Sequence, residues 1–205
     1  MKRMILLSVL VLLIPVIVYS QDKIEAPVWN VGDKWTFTAH PTMVVVKADD
    51  STYTVKSVTP KEENVYIYDK ASLNILYSLE GDKRIPYKRM NKQALDFPLS
   101  IGKAWKDTYS TNLSRGNIRL AKEYTFIESR TALGWEDVEV RAGKFKALKM
   151  EVKHERLQEV QGQPKEGKLW VWYSPDVKNL VKSQIPKVFW TGYNDWELSS
   201  FKLKK

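Results

Sequence analysis

The chain has 205 residues, a formal net charge of +9 at pH 7 and 28% charged residues. Its length suits one domain with a sizeable hydrophobic core. It contains no cysteine, which excludes structural disulfides, cysteine-ligated metals, thiol nucleophiles and a lipid-modified cysteine. Lysines and arginines are interspersed with acids along most of the chain. The net positive charge therefore favours solubility over an acidic partner as its explanation.

The first twenty residues predict export. Lys2 and Arg3 precede an almost wholly apolar run over residues 4–19, which ends ahead of a polar stretch. This order is typical of a secretory signal peptide, and the run is shorter than the roughly 20 residues of a membrane-spanning helix. We therefore predict a signal peptide over residues 1–20, with an uncleaved N-terminal anchor as the alternative. The lack of disulfides favours a bacterial protein, periplasmic or secreted.

A series of short strand patterns follows an extended lead-in over residues 21–30. Runs rich in β-branched and aromatic residues recur with Gly, Pro, Asn or Asp between them. In the first half they occupy residues 35–38, 43–46, 52–58, 65–68 and 73–79. This spacing is typical of an antiparallel meander, and no window has the sustained periodicity of an amphipathic helix.

The second half continues the strand pattern. Residues 117–130 are the least regular, and their Thr-Phe-Ile centre favours a strand. Residues 145–156 alternate, so the even positions from Leu148 to His154 should be buried and the odd positions solvated. Residues 169–173 are continuously apolar and aromatic, which indicates cover on both faces. In residues 196–203, a bulge at Ser199 and Ser200 would place the large apolar side chains on one face.

These patterns predict an all-β fold class in a single domain over residues 21–205. We expect a strongly curved antiparallel sheet, with a flattened barrel or a sandwich as the alternatives. Nothing in the chain has the composition of a linker, a repeat or a low-complexity tract. One continuous domain is therefore the expected organisation after the signal peptide.

Three segments together resemble a group of exported bacterial proteins related to the domain of unknown function 3108 family. Residues 31–37, VGDKWTF, are similar to the opening strand of that group. Residues 137–147, DVEVRAGKFKA, resemble its turn and strand, and residues 169–182, which contain WYSP and VK, resemble its hairpin. Arg141 and Lys178 depart from the pattern, which has proline and glycine there. The resemblance implies an antiparallel β fold of strongly curved sheets in an exported protein, and it implies no activity.

Candidate catalytic and metal-binding residues are few. The chain has two histidines, His40 at an expected strand end and His154 on an apolar strand face. Neither belongs to a metal-binding or nucleophile-elbow pattern, and we interpret His154 as a hydrogen-bonded histidine at the edge of the core. Paired carboxylates lie in apparent turns, where they solvate the backbone. We therefore expect no catalytic residue, no metal and no cofactor, and we classify the protein as not an enzyme.

Tryptophan is the most informative residue type for binding. All eight tryptophans lie after residue 20, and Trp170 and Trp172 lie two residues apart on one predicted strand. Side chains two apart share a face of a sheet, so these indoles either line an apolar cavity or fill the core. We expect Trp170, Trp172, Met150 and Val152 to line a concave ligand-binding face.

A short basic cluster departs from the otherwise mixed charge. Lys83, Arg84, Lys88 and Arg89 lie close together in the sequence, and no acid lies between Asp82 and Arg89. The cluster is either a solvated loop or a contact for an anionic surface such as lipid headgroups. Nucleic acid is not an expected partner, because an exported protein seldom meets it and the cluster is short.

The sequence therefore predicts an exported bacterial envelope protein that binds a partner. The first hypothesis is a non-catalytic carrier for an apolar or lipid-like ligand. The alternative is an assembly or adhesion module that binds an envelope protein or a glycan. No transmembrane segment is expected after signal cleavage.

Overall fold

Antiparallel strands make up the described part of the molecule. A computed structural model describes residues 23–86, 94–115, 118–161, 164–186 and 195–205, and the side chains of residues 111–122 lie outside that description. Within these ranges there is no helix, and hence none long and apolar enough to cross a membrane. In chain order the strands are β1 (Lys34–Phe37), β2 (Thr42–Ala48), β3 (Thr52–Val58), β4 (Glu63–Asp69), β5 (Ile75–Glu80), β6 (Lys83–Pro86), β7 (Ala104–Arg115), β8 (Ile118–Val140), β9 (Gly143–Arg156), β10 (Glu166–Ser174), β11 (Asn179–Gln184) and β12 (Trp196–Lys202).

These strands form a single antiparallel sheet. Its strand order is β6-β5-β4-β3-β2-β1-β12-β11-β10-β9-β8-β7. Because β1 pairs with β12, the first and last described strands lie side by side in the middle of the sheet. β6 and β7 are its two edges, so the described sheet is open and is not a flattened barrel. The predicted all-β class, curved antiparallel sheet and single domain are confirmed.

The sheet curves because it has to bury its own apolar side chains. β3 and β8 are seven strand positions apart, which in a flat sheet would separate them by roughly 34 Å. Nevertheless, side chains of β3 and β8 belong to one hydrophobic cluster, so the two halves of the sheet fold towards each other. We call this cluster the main core, and its buried members are Trp29, Trp35, Val45, Tyr53, Val55, Leu73, Val138, Val140, Ala147, Trp172, Val177, Val181 and Leu198.

A second core lies on the opposite face of the sheet. Ala147 belongs to the main core, whereas Leu148, the next residue of β9, packs with Tyr173 in the second core. Successive residues of a strand point to opposite faces, so the sheet itself separates the two cores. Ile24 of the lead-in and Leu99, from the segment before β7, complete the second core. These two residues exchange both backbone hydrogen bonds, each 2.8 Å long.

The local strand predictions are largely confirmed. The even positions 148–154 of β9 are all buried, whereas the odd positions between them are intermediate or exposed. Ser199 is the extra residue of a bulge, because Thr36 pairs with Ser200 and Phe37 pairs with Leu198. The bulge was predicted at this point from the change of phase among the apolar residues of the last strand.

Two elements differ from their predicted limits. β5 begins at Ile75 because Leu73 adopts a left-handed φ of 54° in the preceding turn. β8 continues to Val140, well beyond the predicted strand over residues 117–130. Its register with β9 shifts between Ala132 and Gly134. Such a bulge lets a long strand bend without ending, which is why the single element is longer than the sequence pattern indicates.

One buried carboxylate joins the two ends of the described chain. Asp33 is fully buried in the turn before β1. Its Oδ2 accepts a hydrogen bond from the backbone N–H of Asn30 at 2.9 Å, and its Oδ1 accepts one from the backbone N–H of Lys204 at 2.6 Å. Asp33 therefore satisfies two backbone donors and fixes the C-terminal residues beside the lead-in.

Loss of this carboxylate should destabilise the whole sheet. In Asp33→Ala both N–H groups lose their acceptor, so we expect the free energy of unfolding to fall by about 2–3 kcal/mol. Urea denaturation followed by tryptophan fluorescence measures this change. The matched control is Asp50→Ala, since Asp50 is exposed, and it should change stability by less than about 0.5 kcal/mol. Equal losses in the two variants would contradict the role assigned to Asp33.

Candidate functional site

The four residues predicted to line one ligand-binding face lie on two different faces. The register of β9 and β10 pairs Trp172 with Lys149. Residues paired across strands share a face, so Trp170 and Trp172 point away from Met150 and Val152, which are the even-numbered residues of β9. The prediction of one wall made of these four side chains is therefore wrong. Alternation within a strand is visible in the sequence, whereas the register between strands is not.

The two tryptophans instead belong to a lysine–tryptophan ladder that crosses β9, β10 and β11. Its members are Lys168, Trp170, Lys149, Trp172 and Lys182, and each lysine Nζ lies between 5.3 and 5.8 Å from an indole centroid. An ammonium group at this distance is attracted to the indole face. Trp172 is 4% exposed and belongs to the main core, whereas Trp170 is half-buried. Trp172 is therefore a core residue, and Trp170 lies at the edge of the core.

Glu136 attaches this ladder to β8. Its Oε2 accepts a hydrogen bond from Trp172 Nε1 at 2.9 Å, and its Oε1 accepts one from Lys149 Nζ at 2.9 Å. The hydrogen bond from Lys149, and then that from Trp172, lowers the pKa of Glu136 below its ordinary value of 4.5. Glu136 is therefore held as a carboxylate and stabilises the position of both partners.

His154 belongs to a buried charged cluster on the other face. Its Nδ1 lies 3.0 Å from Glu128 Oε2, and both side chains are buried, as predicted for a histidine at the edge of the core. Arg130 forms ion pairs with Glu128 and with Asp107. Ion pairs of this kind hold buried charges within the sheet. In the described ranges, no group of three or more His, Asp or Glu side chains is arranged to hold a metal ion.

The basic cluster falls only partly in the described structure. Lys83 and Arg84 lie exposed on β6, at one edge of the sheet. The guanidinium of Arg84 lies 4.9 Å from the centroid of the Tyr77 ring. Lys88 and Arg89 lie outside the described residues. Two of the four cations are therefore placed, and both lie on an exposed sheet edge.

A cleft on the face of the second core has the character of a ligand site. Its volume is about 550 Å³, within the usual range for small-molecule sites. Its walls come from the lead-in before β1, the β8–β9 hairpin and the turn between β10 and β11. We call it the Tyr173 cleft, and its lining residues are Lys23, Ile24, Glu25, Pro27, Trp135, Lys146, Tyr173, Pro175 and Lys178.

Tyr173, one of the lining residues, has a buried hydroxyl that is unsatisfied among the described residues. The side chain is completely buried, and its ring packs against Phe97 with the centroids 5.6 Å apart. Its hydroxyl has no hydrogen-bond partner among the described residues. Burial raises the pKa of Tyr173 far above its ordinary value of 10.0, so the phenol remains protonated. The hydroxyl is therefore a neutral group that can donate a hydrogen bond.

Three lysines and one glutamate give the cleft a positive lining. Lys178 Nζ donates a hydrogen bond to the backbone oxygen of Val28 at 2.8 Å, which ties the turn to the lead-in. Lys146 is exposed, and its Nζ lies 5.8 Å from the centroid of the Trp135 ring. The lining residues therefore combine apolar side chains, cations and one phenol, which suits a bound amphiphile with an anionic group.

This cleft was not predicted from the sequence. The segment WVWY does contain the relevant signal, because tyrosine is an aromatic residue with a polar tip and alternates in face with the preceding tryptophan. However, the lead-in wall depends on the pairing of Ile24 with Leu99, two residues far apart in the chain. No local pattern indicates such a pairing.

Comparisons with known proteins give a distant structural likeness. No protein-family model matches the chain, and no curated protein matches it. The chain is similar to the solved structure of the hypothetical lipoprotein YmcC from Escherichia coli (K12), with 10% identity, a TM-score of 0.45 and coverage of 89% of this chain and 90% of that one. It is likewise similar to a hypothetical lipoprotein from Parabacteroides distasonis ATCC 8503, with 14% identity, a TM-score of 0.45 and coverage of 89% and 100%. Likeness at this level assigns no activity to the chain.

The Glu136 carboxylate should give stability that depends on pH. Because the folded pKa lies below the ordinary 4.5, the stabilisation is present above that pH and is lost as the pH falls through the folded pKa. We expect Glu136→Gln to be less stable than the native chain at pH 7, with the difference disappearing on acidification. Urea denaturation at a series of pH values measures it. Glu139→Gln removes an exposed partner of Lys144 on the same strand and should show much less pH dependence.

Proposed function

We propose that this protein is an exported bacterial binding protein, not an enzyme, and that its Tyr173 cleft takes a lipid-like ligand. The ligand would have an apolar body and an anionic group such as a carboxylate or a phosphate. The observation that carries the proposal is the buried Tyr173 hydroxyl, which has no partner among the described residues and belongs to a residue that lines a 550 Å³ cleft.

A buried hydroxyl without a partner costs free energy. The cost is about 1–3 kcal/mol, because the group loses its hydrogen bonds to water and gains none in the protein. Phenylalanine would fill the same volume without this cost. The presence of tyrosine is therefore best explained by a partner that enters the cleft and accepts the hydrogen bond of the phenol.

The charge and polarity of the lining define the ligand class. The rings of Trp135, Pro27 and Pro175 supply apolar walls. Lys146 is exposed and forms no hydrogen bond or ion pair with an acid in the described structure. Together with the other two lysines of the lining it outnumbers the single acid, Glu25. An anion with an apolar body satisfies both parts of this surface.

Export rests on the N-terminal sequence. Residues 1–20 have the positive, apolar and then polar order of a signal peptide, which would deliver the domain to the periplasm or the exterior. Amphiphilic anions are abundant at the membrane surfaces that face those compartments. The proposed ligand class and the proposed location are therefore compatible.

Tyr173→Phe should separate binding from stability. Since the hydroxyl has no partner in the ligand-free fold, we expect the free energy of unfolding to stay within about 0.5 kcal/mol of the native value or to rise. The affinity for dodecanoate and for dodecyl phosphate should fall by about five- to tenfold. Isothermal titration calorimetry with each amphiphile measures the affinity, and urea denaturation measures the stability.

Two controls make this test specific. Tyr77→Phe makes the same chemical change on β5, away from the cleft, and should leave binding unchanged. Dodecanol presents the same chain without a charge and should bind more weakly than dodecanoate, and Lys146→Gln should reduce that difference. Equal binding of dodecanol and dodecanoate, or a large loss of stability in Tyr173→Phe with unchanged binding, would refute the proposal. Native mass spectrometry of the protein purified from the cell envelope would then identify the natural ligand.

The exposed edge strand β6 offers a contact for the source of such a ligand. Lys83 and Arg84 are both exposed on this strand, and each such cation near an anionic membrane contributes about 1 kcal/mol. The double variant Lys83→Gln/Arg84→Gln should therefore bind phosphatidylglycerol vesicles roughly thirtyfold less tightly at low ionic strength. Vesicle co-sedimentation measures it. An equal effect of Lys47→Gln/Lys61→Gln, which removes two other exposed cations, would show that net charge alone is responsible.

A further inference from the structure

A second cleft, of contrasting chemistry, lies beside the β10–β11 hairpin. Its volume is about 270 Å³, the space of roughly nine waters, which is enough for one ring. We call it the Asn179 cleft, and its lining residues are Phe37, His40, Pro41, Met43, Ser57, Tyr68, Asn179, Leu180 and Trp196. None of these is Lys, Arg, Asp or Glu, although 28% of the chain is charged.

Aromatic rings give this cleft its shape. The ring of Trp196 meets the ring of Phe37 edge to face, with centroids 5.3 Å apart and an interplanar angle of 80°. The His40 ring also meets Trp196 at 5.3 Å, with an interplanar angle of 89°. His40 is exposed, and partial desolvation lowers its pKa below 6.5, so its imidazole is neutral at pH 7. The walls therefore present flat apolar surfaces and no charge to a ligand.

Asn179 supplies a single oriented donor. Its Oδ1 accepts a hydrogen bond from the backbone N–H of Leu180 at 2.8 Å, and this contact fixes which side of the amide is oxygen. The remaining Nδ2 is buried and has no hydrogen-bond partner among the described residues. Ser174, its register partner on β10, does not bond to it, and the buried Ser174 hydroxyl is also unsatisfied there. Asn179, a lining residue of the cleft, thus has a buried amide donor that lacks an acceptor among the described residues.

We propose that the Asn179 cleft binds a small uncharged ring compound that presents one hydrogen-bond acceptor to Asn179 Nδ2. The ring packs against Phe37 and Trp196, and a carbonyl oxygen or ring nitrogen accepts the hydrogen bond. A charged ligand is disfavoured because no lining side chain offsets the cost of removing its charge from water. The site is separate from the Tyr173 cleft, since the two share no lining residue.

The test uses acetophenone, ethylbenzene and benzoate as probes on the full exported protein labelled with ¹⁵N. The three share an aromatic ring and differ in that acetophenone has a neutral acceptor, ethylbenzene has none and benzoate is charged. We expect acetophenone to bind several-fold more tightly than ethylbenzene and to shift the side-chain amide resonance of Asn179. Benzoate should leave that resonance unchanged.

Two variants test the hydrogen-bond donor and the volume of the cleft separately. Asn179→Asp keeps an oxygen for the Leu180 N–H and removes the donor, so the affinity for acetophenone should fall roughly tenfold while that for ethylbenzene is retained. Ser57→Leu fills the cleft from β3 and should abolish the binding of both, whereas Ser51→Leu, at an exposed residue just before β3 that does not line the cleft, should not. Both cleft variants should bind dodecanoate like the native protein.

The proposal is overturned if acetophenone and ethylbenzene bind equally, if the Asn179 amide resonance does not respond, or if Asn179→Asp leaves acetophenone binding unchanged. A response of the amide to added peptides alone, with none to acetophenone, would overturn it in favour of a protein partner. Because dodecanoate binding is measured in the same samples, failure at this cleft is distinguishable from failure at the Tyr173 cleft.

Discussion

The burial of apolar surface by one sheet without helices is the constraint on which the rest of this structure depends. A sheet with an exposed apolar face is not stable in water, and in the described chain no helix is available to cover it. The strands therefore curve until β3 and β8 contribute to the same core. The opposite face needs a separate cover, which the lead-in and the segment before β7 provide through Ile24 and Leu99.

The two candidate ligand sites lie at different parts of the sheet. The Tyr173 cleft opens beside the lead-in, and the Asn179 cleft opens where β1, β3 and the β10–β11 hairpin approach one another. Each is lined by one residue with a buried polar atom whose hydrogen-bonding capacity the described protein does not use. Such atoms are rare in folded proteins, because leaving them unsatisfied costs free energy. The lining of the Tyr173 cleft is positively charged and that of the Asn179 cleft has no charged side chain, which is why the two proposed ligands differ in chemistry.

Much of the local structure could be predicted because it depends on local spacing. The alternation around Met150 predicts the buried face of β9. The change of phase around Ser199 predicts a bulge, which is present where β12 pairs with β1. The prediction of one ligand wall was wrong for the opposite reason; it placed Trp170, Trp172, Met150 and Val152 on one face. Which side chains of two neighbouring strands share a face depends on the register between the strands. A shift of one residue moves a whole set of side chains to the other face.

The sequence by itself determined an all-β domain with alternating strand faces, a signal-like N-terminus and a chain without cysteine chemistry. These properties follow from composition and from the two-residue period of a strand. Only the tertiary structure decided that Trp172 is a core residue held by Glu136 and Lys149, and that Tyr173 and Asn179 keep unused hydrogen-bonding atoms. The physical reason is that hydrogen-bond satisfaction and cavity shape depend on contacts between distant residues, which no local pattern encodes.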